Sequence, residues 1–163
     1  MQIFATILTG VIVFVGGQTI LKMVIEPIQK LRETIAEIAF ILTNNHVVYH
    51  NSDFLDKQQV DDAYENVREM GGRLVANQTL VPFYGKLHKL FSLPSKEEVK
   101  KASERLYGIS LQMDSQSDAR YYYLDLYRIE ICENLHISDP ITNGLSKEEL
   151  IESIKKIRGP NAL

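Results

Sequence analysis

The stretch that most constrains this chain is Ile3 to Leu21 (IFATILTGVIVFVGGQTIL), which carries no charged side chain and only Thr6, Thr9, Gln18 and Thr19 as polar residues. A helix rises about 1.5 Å per residue, so this run reaches about 28 Å, close to the thickness of a bilayer's hydrocarbon layer. Lys22 follows directly, with a stem long enough to carry its ammonium to the headgroups. Residues 1–25 are therefore expected to form a transmembrane anchor. Two rival readings are weaker. A cleaved secretory signal wants a cationic start, a shorter apolar core and a small-residue exit, whereas only Gln2 precedes this apolar run. A buried core helix is typically apolar over about 10 to 14 residues, fewer than here.

The flanks orient the anchor. No Lys or Arg precedes it, while Lys22, Lys30 and Arg32 follow, and cationic residues beside a span mark its cytoplasmic side. The remaining chain, residues 28–163, is thus expected in the cytoplasm as one helical domain. The lone Cys132 agrees, since it cannot form an internal disulfide. Within the anchor, Thr6, Gly10 and Gly17 share one helical face and are candidates for close span-to-span packing. Gly and Thr are also common in spans that associate with nothing.

Pro27 is the expected hinge. It cannot donate an amide to the carbonyl of Met23 and its ring collides with that carbonyl, so the helix should kink or restart there. Beyond it, Ile28, Leu31, Ile35, Ile38 and Leu42 alternate at spacings of three and four, widened by Phe40 and Ile41, which is the pattern of a bundle helix. Asn44, Asn45 and the polar run from His50 to Asp53 should weaken or end it. Val60, Ala63, Val67, Met70 and Leu74 give a second apolar stripe, interrupted by Gly71 and Gly72 at a close crossing, a bend or an irregular turn. Ser95 and Glu98 form a capping box opening a helix faced by Val99, Ala102, Leu106, Ile109 and Met113, which the polar run from Asp114 to Asp118 then breaks. Ser146 and Glu149 repeat the box before Leu150, Ile151, Ile154 and Ile157, with Leu145 placed to staple onto Leu150 and Gly159-Pro160 as the stop. Arg120 to Cys132 (RYYYLDLYRIEIC) alternates like a strand but also shows a helical face of Tyr122, Leu126, Ile129 and Cys132. A lone strand would have no partner elsewhere in the chain, so helix is expected, and the fold class is all-α: a transmembrane helix followed by a cytoplasmic bundle.

Charge is distributed unevenly. The net charge of -3 gives no pull toward nucleic acid, and none is expected as a partner. Yet from Met70 to Lys96 there is no acid, against Arg73, Lys86, Lys89 and Lys96. Within this stretch Thr79 to Leu93 (TLVPFYGKLHKLFSL) repeats apolar residues at helical intervals beside its cations. Lys22, Phe83, Tyr84, Lys86 and Lys89 are the candidates for resting on an anionic membrane surface, while the same pattern also suits a core helix with a few cations outside.

Catalytic patterns are missing. His46, His50, His88 and His136 are scattered, and although His46 and His50 are four apart no HExxH motif or Cys cluster surrounds them; Gly71-Gly72 lacks the lysine and spacing of a phosphate loop, and no nucleophile sits in a recognisable elbow. No cofactor or metal is expected, and the balance leans away from an enzyme.

The runs VFVGGQTILKMVIEPIQKLRETIAEIAF, VPFYGKLHKL and LPSKEEVKKASERLYGIS resemble a group of short single-span bacterial proteins of unknown function that share an anchor, a Glu-Pro-Ile-Gln turn and a later helix capped by Pro-Ser. The resemblance implies a bacterial inner membrane and carries no chemistry. The expected function is a membrane-anchored interaction or scaffold protein, with the bilayer and a protein partner or a second copy as its contacts. A ligand-gated membrane effector that oligomerises through its span is the alternative, and an enzyme acting on lipid or nucleotide the third.

Overall fold

The structure, a computed structural model, describes residues 2–51, 55–113, 117–139, 141 and 144–159, and every regular element among them is helical. In chain order these are α1 (Gln2–Ile20), a π-helical turn (Leu21–Ile25), α2 (Glu26–Asn44), α3 (His46–Asn51), α4 (Lys57–Leu80), α5 (Tyr84–Leu90), α6 (Lys96–Met113), α7 (Arg120–Leu135) and α8 (Lys147–Arg158). The expected breaks at Ser52 and Asp53, at residues 114–116 and at Pro160 lie outside the described residues, as do the side chains of His50 and Met113.

α1 buries none of its residues. Its uniform apolarity leaves no stripe to turn inward, so nothing draws it onto the bundle. The hydroxyls of Thr6, Thr9 and Thr19 donate to the carbonyls of Gln2, Ala5 and Val15 at 3.1, 2.8 and 2.8 Å. The polar atoms of those side chains are thus satisfied within the helix, as an apolar solvent requires. Among the described residues it opens the one helix long and apolar enough to cross a membrane.

Helical structure continues from Gln2 to Asn44, so Pro27 does not restart it. Instead the preceding turn widens, and the Glu26 amide donates to the Leu21 carbonyl five residues back. A π turn suits a proline that follows it, because the hydrogen bond it would omit is the one the proline cannot make.

The expected seam of α2 is buried in full: Ile28, Leu31, Ile35, Ile38 and Leu42, joined by Thr34. Complete burial of Leu31, Ile38 and Leu42 contributes about 1.5–3 kcal/mol each. Phe40 does not widen that face, being 67% exposed, because it falls on the outward side two positions past Ile38. α4 runs through its glycine pair without interruption. Gly71 marks a crossing: its carbonyl accepts a 3.0 Å hydrogen bond from Ser103, and a Cβ there would stand 3.5 Å from Leu106. Between α6 and α7 the approach at a glycine is closer still: a Cβ on Gly108 would come within 2.7 Å of the Tyr127 ring.

Both capping boxes are formed. Glu98 and Glu149 donate their amides to Ser95 and Ser146 at 3.2 and 3.3 Å, and each carboxylate accepts the serine amide in return. Leu145 is half exposed while Leu150 is buried. α7 is a helix with buried residues on two sides: Leu124, Ile131, Cys132 and Leu135 face the main core, while Tyr123 and Leu126 join Leu150 and Ile154 of α8. Tyr122 and Ile129, expected on one buried face, are only half buried because that face is shared between two neighbours. The buried Arg128 is neutralised by Asp139 and by Asp125 at 3.4 Å, as a charge removed from water must be.

Cross-helix pairs give the directions. Asn77 donates to Thr34 at 2.8 Å, Arg73 pairs with Glu37 at 3.0 Å, Ser103 meets Gly71, Arg105 meets Glu130, and Lys147 pairs with Glu133 at 2.6 Å. With Tyr64 and Ser110 bordering one cleft, Gly108 against the Tyr127 ring and Arg158 over the Tyr123 ring as second pairs, one number rises as its partner's falls at each interface, so α2, α4, α6, α7 and α8 run alternately up and down, each against the next. The start of α2, the end of α4, the start of α6, the end of α7 and the start of α8 consequently share one end of the bundle. α1 enters at that end.

Candidate functional site

The end of the bundle next to α1 is closed by the stretch expected to be one amphipathic helix, Thr79 to Leu93. It is two pieces. α4 stops at Leu80, residues 81–83 turn, and α5 has only seven residues. The turn pivots on Phe83, whose φ of 48° lies in the left-handed region. A bulky side chain there costs on the order of 1–3 kcal/mol. Phe83 is also 81% exposed, so a strained backbone presents an aromatic ring to the surroundings.

The left-handed residue sends its neighbours to opposite sides. Val81 and Tyr84 point inward, whereas Leu80, Phe83 and Leu90 are exposed. Tyr84 is therefore a correction to the expected membrane-surface set: it is 3% exposed, and its hydroxyl donates to the Pro94 carbonyl at 2.6 Å. Burial first, and the Glu98 charge second, push its phenol up to about 12. Tyr84 stacks on His88, whose Nδ1 lies 3.0 Å from the Tyr84 carbonyl, and Arg32 of α2 donates to the Phe91 carbonyl at 2.7 Å. These contacts pin the corner to α2 and to the entry of α6.

Lys22, Lys86 and Lys89, the other expected surface residues, are exposed, and so are Lys30 and Lys96. None of the five makes an ion pair among the described residues. Two clefts flank the turn. One, of about 330 Å³, lies at the junction of the π turn and α2 between Lys22, Met23, Pro27, Lys30 and Leu80, with Glu26 as its acid. The other, of about 590 Å³, is lined by Gln78, Thr79, Phe83, Lys86 and Lys96 among others. Pro82 borders both.

Gln78 is the residue that sequence reasoning passed over. Its side chain is buried to 8% exposure at the edge of the second cleft and makes no hydrogen bond to another described residue. The signal was present: Val67, Met70 and Leu74 lead at the same spacing to position 78.

Thr6, Gly10 and Gly17 lie along α1, which buries none of its residues. A Cβ on Gly10 or Gly17 would meet nothing within 4 Å, and the Thr6 hydroxyl is already engaged within its helix. The histidines are dispersed: His46 stands 4.0 Å from Asp125, His88 sits on the α5 backbone and His136 lies 3.3 Å from Glu98. Among the described residues no three His, Cys, Asp or Glu side chains gather as metal ligands. Burial, chiefly, pushes the Cys132 thiol up to about 11, which keeps it protonated and unreactive near neutral pH. Set against models of known protein families, curated proteins and solved structures, the chain matches none.

Proposed function

We propose that this chain is a membrane-tethered interaction protein whose helical bundle sits on the cytoplasmic face of a bacterial inner membrane. The observation that carries the reading is the contrast along one continuous helix: α1 buries no residue, and α2, of equal length, buries six. A nineteen-residue helix that is apolar on every side and unpacked needs another apolar solvent. At the junction the exposed Leu80, Phe83 and Leu90, with Lys22, Lys30, Lys86 and Lys89, supply an apolar wedge rimmed by cations, the composition that suits an anionic leaflet. The bundle then offers its remaining faces to a partner.

The test is topology in the full chain. A reporter active only in the cytoplasm, fused after Leu163, should work, and one active only outside the membrane should fail. The reverse result overturns the orientation, and a soluble fusion recovered without membranes overturns the anchor.

A second reading, in which copies associate through their spans and respond to a ligand, is favoured by the open faces of Gly10 and Gly17 alone.

A further inference from the structure

We infer that the cleft beneath the α4–α5 turn is a binding site for the headgroup of an anionic phospholipid. The inference rests on the membrane-tethered reading and assigns a specific ligand chemistry to its contact surface.

Three observations converge. Lys86 and Lys96 both line the cleft, and no acidic residue lies between Met70 and Lys96 in the sequence that forms most of its wall. Gln78, more than nine-tenths buried, contributes an amide that has a donor and an acceptor to offer and no described partner. The polar atoms of that amide reach the solvent of the cleft, where a ligand offering both an acceptor and a donor can replace water. Phe83, which also lines the cleft, is 81% exposed on a strained backbone, an apolar ring beside the two lysines as a lipid with an acyl chain next to its headgroup would need.

The chemistry narrows the ligand. Two lysines suit one phosphodiester, each as a compact point charge. An amide that donates and accepts suits hydroxyls next to that phosphate, as in a glycerol headgroup. A choline headgroup offers no hydroxyl and brings a cation toward the two lysines, so it should be rejected. The cleft, at about 590 Å³, has room for a headgroup and little more.

The experiment uses the full chain in a non-ionic detergent micelle, titrated with dihexanoyl phosphatidylglycerol, dihexanoyl phosphatidylcholine or inorganic phosphate. Amide ¹⁵N resonances of the Gln78 side chain and of Phe83 to Lys86 are followed. Phosphatidylglycerol should shift them saturably, and the other two should not. Lys86→Gln and Lys96→Gln, both at exposed positions, should each weaken the binding about fivefold without changing the melting temperature. Gln78→Leu should weaken it while keeping the lysines in place. Equal shifts with phosphatidylcholine reduce the effect to detergent-like partitioning and overturn the site. Equal saturation with inorganic phosphate overturns the lipid assignment in favour of a soluble phosphate. Silence in all three titrations overturns the site itself. Because no leaflet is present in these titrations, that failure is separable from the reporter result, which reads topology alone.

Discussion

α1 and α2 are both nineteen residues long and are joined through one widened turn, yet one packs along a full seam and the other touches nothing. The difference is in arrangement more than in apolar content. α2 is the less apolar of the two, but it concentrates Ile28, Leu31, Ile35, Ile38 and Leu42 on one side and keeps Lys30, Arg32, Glu33 and Glu37 off it. α1 spreads its apolar residues evenly, so no rotation about its axis buries more than any other. A stripe selects a neighbouring helix, whereas a uniform surface selects a solvent.

The contrast breaks most sharply by truncating one side chain in each helix. Ile38→Ala empties a fully buried position and should destabilise the bundle by about 2–5 kcal/mol, read as a fall in melting temperature. Ile12→Ala, on a residue 62% exposed in α1, should leave that temperature unchanged. A comparable loss from both would mean that α1 packs on the bundle after all.

A pair of glycines sharpens the same point. Gly108→Ala drives a methyl into the Tyr127 ring and should cost about 1–3 kcal/mol as α6 and α7 are forced apart. Gly10→Ala meets open space and should leave bundle stability alone. If Gly108→Ala melts like the parent chain, the α6–α7 approach is looser than described.

The smallest effect concerns how helices begin. α2 needs no side-chain cap because α1 runs into it, whereas α6 starts from a turn and depends on Ser95 and Glu98. Ser95→Ala should cost about 1 kcal/mol in thermal melts. The backbone amide of Ser95, foremost, and then contacts from the Ser95 side chain and His136 hold the Glu98 carboxyl below its usual range. Its stabilising contribution is therefore complete above the ordinary carboxylate pKa and is lost as pH falls through the lowered folded-state value. Glu98→Gln should flatten that part of the acid limb. An unchanged pH profile in the variant would remove the cap from the account.

Sequence pattern exposed most of this architecture, and its failures have physical causes. The α2 and α6 stripes and both capping boxes were legible because each depends on residues within four positions of one another. α7 was ambiguous because it is enclosed by two partners, so its buried set, from Tyr123 to Leu135, wraps around the helix and blurs any single face. At the corner, the periodicity of Leu80, Phe83, Tyr84 and Leu87 suggested one helix. Phe83 took a backbone conformation that no spacing rule anticipates, and this separated Leu80, Phe83 and Leu90 from the inward Tyr84. The cations Lys86 and Lys89 were readable from charge, whereas Gln78 needed the packed structure, since only packing shows its amide opening onto a cleft with no described protein partner.

The unbroken passage from α1 into α2 also has a mechanical side. A flexible linker would let the bundle swing and would absorb any motion of α1. Here there is none: helical structure is continuous from Gln2 to Asn44, and α2 inserts Leu31 and Ile38 into the centre of the core. The helix is a shaft. A tilt or twist imposed on α1 reaches those two side chains as a torque, moderated only by the compliance of the π turn at Leu21–Ile25. Core packing has few intermediate arrangements, so α4 and its neighbours would have to answer such a torque in discrete steps.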